Sequence, residues 1–189
     1  MKYFLTFDIG TTAMKCILFD EAFNELHQSN KEYDLITYED GRVELEPEVY
    51  FNTFCECIKE ASGLGLPITS VTFTTQGETL IPVDKDGNAL HNAIVWIDAR
   101  AEEEAKAISE KFDIEGYYKK TGLPEMNGAV PIAKLKYFAD KMPEITEKAY
   151  KFLLLEDYFI FRLTSKAVTE KSLVSSTGWY DIINETYYK

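Results

Sequence analysis

Residues 2–7 form a strand-like run that ends directly on Asp8-Ile9-Gly10-Thr11-Thr12, and a second strand-like run follows at residues 14–19. A connection this short joins antiparallel strands, because a parallel pair needs a crossover of about a dozen residues or more. Asp, Gly and Thr all favour tight reversals, so the turn residues suit that reading. Residues 20–24 carry another turn signal, and a third strand is expected at 25–34. The chain therefore opens as a β-meander and not as the βαβ unit of a dinucleotide-binding fold.

A loop signal at Glu39-Asp40-Gly41 precedes Glu46-Pro47, where a proline in the first turn of a helix forfeits no needed hydrogen bond. Val49, Tyr50, Phe54, Cys57, Ile58 and Ala61 then recur at helical spacing until Gly63. Residues 68–74 read as a short β-branched strand. Residues 79–83 and 89–96 flank Asp84-Lys85-Asp86-Gly87-Asn88, a hairpin signal. Beyond this the pattern turns helical. Asp98 can cap a helix whose first turn carries Glu102, Glu103 and Glu104, and further helices are expected at 114–120, 129–141, 143–150 and 156–163. Sheet, crossing helix, more sheet and then helices predict one α/β domain over residues 1–189, with a helical insertion after Trp96.

The formal net charge of −12 counts against nucleic acid as a partner. An anionic ligand would need backbone N–H groups, a local cation and a metal ion to offset that field. Cys16, Cys55 and Cys57 do not make a disulfide framework, and an i,i+2 pair on a helix points to different faces, a poor metal site. His27 and His91 lie far apart with no nucleophile motif beside them, and are read as solvated or capping. No apolar run reaches the length of a membrane span, and the first strand meets Asp8 too early for a secretory core. A cytoplasmic location is the expectation.

Three stretches carry chemistry. At Asp8–Gly10–Thr11–Thr12 an acid, a glycine that permits close backbone approach and two hydroxyls are followed by Lys15. Such a turn can cradle phosphate oxygens while the acid holds a hydrated Mg²⁺; it can equally be an ordinary hairpin. At Gln76-Gly77-Glu78 an amide and a carboxylate follow a strand, able to bridge vicinal hydroxyls or simply to make a polar turn about Gly77. At Trp96-Ile97-Asp98-Ala99-Arg100 an indole stands beside an acid and a guanidinium, either a sugar-stacking wall or a strand end followed by a helix cap.

In this order the three stretches resemble the FGGY carbohydrate kinases of the actin/hexokinase/Hsp70-like ATPase superfamily. The glycerol kinase branch carries D-x-G-T-T, then N-Q-R-E-T, then N-A-I-V-W. Phe152 through Tyr158, Arg162-Leu163-Thr164 and the hydroxyl-rich residues 169–177 also resemble the family's later motifs. The resemblance implies a ribonuclease H-like domain with a mixed five-stranded sheet and flanking helices. It implies transfer of the ATP γ-phosphoryl to a sugar or polyol hydroxyl, with ATP and Mg²⁺ as cofactors and a xylulose or glycerol kinase-like substrate class. Asp8 would be the catalytic, metal-associated acid; Gly10, Thr11, Thr12 and Lys15 would meet the ATP phosphates. Gln76, Gly77, Glu78, Trp96 and Asp98 would form the substrate wall.

The departures matter. Gly77 replaces an Arg of glycerol kinases, which puts glycerol in doubt as the substrate, the Met-His of typical xylulose kinases is absent from this segment, and Ser165 replaces a family Gly. The family's catalytic base and adenosine-binding half lie beyond Lys189, so the chain is expected to be the N-terminal part of the kinase, inactive alone, with an apolar patch that favours self-association or a homodimer. The rival readings are a non-catalytic nucleotide-binding scaffold or regulator of the same superfamily and a plain α/β interaction module. The expected pocket at Glu78 and Trp96 speaks against the first, since a scaffold needs no polyol-binding wall.

Overall fold

The computed structural model describes residues 1–111 and 113–188. In chain order the elements are β1 (Tyr3–Ile9), β2 (Ala13–Asp20), β3 (Glu25–Glu32), β4 (Ile36–Thr37), β5 (Val43–Leu45), α1 (Pro47–Ser62), β6 (Ile68–Thr75), β7 (Leu80–Val83), β8 (Ala93–Ile94), α2 (Glu102–Ser109), α3 (Ile114–Thr121), α4 (Pro131–Lys141), α5 (Pro143–Lys148), β9 (Lys151–Leu154), α6 (Leu155–Thr164), α7 (Lys171–Ser175), β10 (Tyr180–Asp181) and β11 (Thr186–Tyr187). The chain divides into two compact units. Met1–Leu35 joins Glu46–Gln76, and Ile36–Leu45 joins the chain from Gly77 onward.

The first unit holds the expected meander. Its sheet runs β3-β2-β1-β6, antiparallel except for the parallel pair β1–β6, whose connection contains α1. Strand periodicity puts Leu5, Phe7 and Ile9 on one face with Met14, Cys16 and Leu18, all buried. Tyr50, Phe54, Cys57 and Ala61 line the matching stripe of α1. Phe54 sits 4.6 Å from the Phe7 ring and 5.5 Å from Phe73, so Phe54→Ala should cost about 3–5 kcal/mol. Burial pushes the Cys16 thiol up to about 12, marking it as core and not reactive.

The second unit contains an antiparallel five-stranded sheet, β4-β5-β8-β7-β9, and the hairpin β10–β11. The single mixed five-stranded sheet expected from the sequence is thus a mixed sheet of four strands and a separate antiparallel one. The strand expected at 89–96 also shrinks to Ala93–Ile94. Pro82 explains this: its carbonyl accepts from the Leu90 N–H at 2.9 Å, but a proline has no N–H to return, so the ladder on that side stays half-bonded. Leu80, Ile94, Phe138 and Leu154 form the core here. A second cluster, Ala101, Ala105, Ile108 and Ala133, packs α2 against α4. Gly128 allows the close approach: a Cβ there would lie 2.6 Å from the Ala99 carbonyl oxygen.

The helix after Trp96 begins at Glu102 with Ala101 as its N-cap, so Asp98 does not cap it. His91 is not solvated: it is half-buried, its ring edge-on to Phe138 at 5.4 Å. No helix among the described residues is long and apolar enough to cross a membrane.

Candidate functional site

In the first unit, Asp8 is the last outward-facing residue of β1, exposed, with Lys15 opposite it on β2 and Thr74 beside it on β6. The turn beyond is well tied down. The Gly10 N–H donates to the Ala13 carbonyl at 2.9 Å, and the Tyr33 hydroxyl donates to the Gly10 and Ala13 carbonyls. The Tyr33 N–H donates to the Thr12 carbonyl at 2.9 Å. Gly10 therefore serves the turn by its smallness, since a Cβ there would meet the Ala13 carbonyl oxygen at 3.1 Å, and its N–H is committed within the turn. Thr12 is exposed and Thr11 half-buried.

Gln76 ends the same unit. Its N–H donates to the Ile9 carbonyl at 2.9 Å, and its amide nitrogen donates to the Tyr50 hydroxyl at 2.6 Å. The Gln76 Oε1 is buried and has no hydrogen-bond partner, an acceptor of the kind that a ligand hydroxyl would satisfy. Burial raises the Tyr50 phenol far above its ordinary range, so it stays a neutral hydroxyl.

The second unit carries the other candidates. Gly77 is half-buried, and a Cβ there would touch only Leu173, at 3.9 Å. Glu78 follows in the left-handed region, φ 67°, a conformation that non-glycine residues adopt at a cost and that recurs at functional sites. Burial raises its carboxyl above the ordinary value, and Lys134 and a bond from Ser176 oppose that rise. Trp96 is 42% exposed, its N–H donating to the Thr79 hydroxyl at 3.1 Å.

Asp98, expected at the ligand, has 0% exposure and both oxygens occupied. Val43 N–H donates to Oδ2 at 2.6 Å, the Arg100 N–H to Oδ1 at 2.9 Å, and the Arg100 guanidinium grips both oxygens, with Nη2 2.7 Å from Oδ2. Arg100 Nη2 also reaches Glu44 Oε1 at 2.7 Å. Although burial alone would raise it, bonds from Asn92 and Arg100 hold Glu44 below the usual carboxylate value. A buried pair this well bonded fixes a loop more than it stabilises the fold. Asp98 thus anchors the segment that presents Trp96; to touch a ligand it would first have to release these bonds.

Neither Glu44 nor a neighbouring buried lysine was legible in the sequence. Lys134, on the apolar face of α4, has 0% exposure, and its ammonium reaches the carbonyls of Val95 at 3.0 Å, Trp96 at 3.3 Å and Glu78 at 3.4 Å. A lysine in register with Val130 and Phe138 was the available signal.

The comparisons with known proteins agree with the motif order. The profile of the FGGY family of carbohydrate kinases, N-terminal domain, matches residues 3–189. A glycerol kinase of Thermococcus onnurineus is 33% identical over 96% of this chain and 38% of its own length. Two solved structures cover 100% of the chain: a ligand-bound xylulose kinase of Lactobacillus acidophilus, 30% identical with a TM-score of 0.91 over 39% of that chain, and a Plasmodium falciparum glycerol kinase with ADP, 26% identical with a TM-score of 0.93 over 40% of that chain. The chain spans well under half the length of the curated relatives it matches. By its motifs, its fold and its profile match, this chain belongs to the FGGY family of carbohydrate kinases, as their N-terminal domain.

Proposed function

We propose that this chain is the N-terminal, substrate-binding part of a cytoplasmic ATP-dependent kinase that moves the γ-phosphoryl of ATP to a hydroxyl of a sugar, polyol or aldonate. The observation that carries the reading is Asp8, an exposed carboxylate at the end of a buried strand, beside a glycine–threonine–threonine turn and opposite Lys15. The turn's Thr11 and Thr12 and the Lys15 ammonium are groups that attract phosphate oxygens; Gly10 keeps the backbone low enough for them to approach. Among the described residues no three His, Cys, Asp or Glu side chains gather as a metal site. Asp8 alone suits Mg²⁺, which keeps most of its waters and takes one or two carboxylates; bound there, it would neutralise phosphate charge.

For the substrate, the first unit would offer the unfilled acceptor Gln76 Oε1; the second would offer the carboxylate of Glu78, whose backbone is left-handed, and Trp96, 42% exposed, whose indole suits the apolar side of a sugar. Phosphoryl transfer depends mostly on positioning and charge, so rigid turns are what such a chain has to supply. Because the chain spans 38% of the glycerol kinase it matches, we propose that it does not turn over alone. The test is an ADP-release assay on the full-length enzyme with a panel of pentuloses, hexuloses, polyols and aldonates. Release with at least one of them, reduced strongly by Asp8→Asn, is the expected result; an unchanged rate in that variant removes Asp8 from the mechanism.

A further inference from the structure

Lys134 has no role in the phosphate chemistry above, and nothing about a helix face explains a fully buried ammonium. Ala133 and Phe138 of α4, with Val130 just before the helix, make its buried side apolar, which a Met or Leu would complete without desolvating a charge. What the charge does is visible in its partners. Its three carbonyls belong to two separate segments, Glu78 in the turn before β7 and Val95–Trp96 at the end of β8. Around it, Asp98 and Glu78 favour the charged form, while Arg100, itself held by Glu44 and Asp98, opposes it.

We propose that Lys134 is a positioning residue: its ammonium clasps the Glu78 turn to the Trp96 segment and so sets the spacing of the substrate wall. The inference rests on the reading of Glu78 and Trp96 as that wall. Glu78 is the residue most in need of such a clasp, because its left-handed backbone persists only where the surroundings over-determine it. An ammonium offers three donors to three carbonyls that converge from different elements, which no apolar residue can do.

Burial brings the Lys134 ammonium down to about 8. Raising the pH through that value relieves the burial of charge but removes one donor and the field beside the Trp96 carbonyl. The clasp is therefore readable without any activity assay. The sequence holds two tryptophans, so Trp179→Phe leaves Trp96 as the sole reporter. In that background Trp96 emission should show a transition with a midpoint near pH 8. Lys134→Met should lose the transition while keeping its helical circular dichroism, and Lys134→Arg should lose it while keeping the low-pH emission. The same transition in Lys134→Met, or low-pH Trp96 emission that this variant leaves unchanged, overturns the proposal. If Lys134→Met does not fold, Lys134→Arg decides it: low-pH emission that departs from the parent's, or a transition that persists, overturns the clasp. A thermal-shift panel of sugars on the full-length enzyme, parent and variant, separates the two readings. Where the parent binds a sugar, Lys134→Met should weaken it about tenfold or more, and unchanged affinity overturns the clasp. Where the parent binds none, the substrate-wall reading fails and the Trp96 titration still decides Lys134.

Discussion

Asp8 and Lys15 stand directly opposite one another across β1 and β2, both exposed, at the end of the sheet where the Gly10–Thr12 turn begins. Opposed residues on one face of an antiparallel pair lie within reach of a common ligand. Their substitutions should nevertheless separate. Asp8→Asn in the full-length enzyme should lower kcat by about 10²–10³ while leaving sugar affinity nearly unchanged, as loss of a charge that acts only on the transferring group does. Lys15→Gln should raise the KM for ATP several-fold with a smaller effect on kcat. Steady-state kinetics with both substrates varied checks this, and equal effects on sugar KM would remove the assignment.

Asp157 is a buried acid of a different kind. It is 5% exposed, lies against a cavity of about 130 Å³, and its Oδ1 has no partner. Burial pushes its carboxyl up to about 7, against bonds from Thr169 and the Leu154 backbone. A group that holds its proton more tightly folded than unfolded takes up protons on folding, so its contribution falls as pH rises from about 4 to about 7. Relative to the parent chain, Asp157→Asn should therefore gain stability between pH 5 and pH 8. Melting temperatures of the two chains across that range provide the check, and a constant difference counts against the assignment.

Ser165 closes α6 with φ 58°, its N–H donating to the Phe161 carbonyl at 2.8 Å. A left-handed residue with a Cβ costs about 1–2 kcal/mol, part of which glycine returns through the entropy of the unfolded chain. Ser165→Gly should thus stabilise the chain by about 0.5–1 kcal/mol. A higher urea midpoint at unchanged slope is the expected result, and a lower midpoint refutes it.

The elements that could be read from sequence are those whose signal is local. Leu5, Phe7 and Ile9 alternate because one face of β1 is buried, and Tyr50, Phe54, Cys57 and Ala61 repeat because one stripe of α1 is. The turn at Asp8–Thr12 announces itself for the same reason. What escaped is non-local. Asp98 looks like a helix cap until the Val43 N–H, 55 residues away, claims its carboxylate. Whether β7 and β8 extend the first sheet or build a second depends on β5 and β9, which no local pattern names. Lys134 resembles any solvated helix lysine unless its place among Val130 and Phe138 is weighed.

Gly77 offers the sharpest test of substrate class. Its backbone lies outside the left-handed region, and a Cβ would meet only Leu173 at 3.9 Å, so a Cβ can be added there without strain or clash. Glycerol kinase-like sequences place an arginine at this position, whose guanidinium can grip hydroxyls in two places at once. On the proposed reading of Gly77 as part of the substrate wall, glycine would leave that wall wider by roughly the volume of the arginine side chain, and a ligand of about four to six carbons should fit better than a triol. In the first unit, Gln76 Oε1 is a buried acceptor without a partner, and a ligand hydroxyl that filled it would be favoured strongly over the deoxy analogue. In the full-length enzyme Gly77→Arg should shift kcat/KM toward glycerol and away from pentuloses by about tenfold or more. The comparison of glycerol with pentuloses and four-carbon polyols, parent against variant, decides it: if glycerol is already the best substrate of the parent enzyme, the open wall at Gly77 does not set the preference.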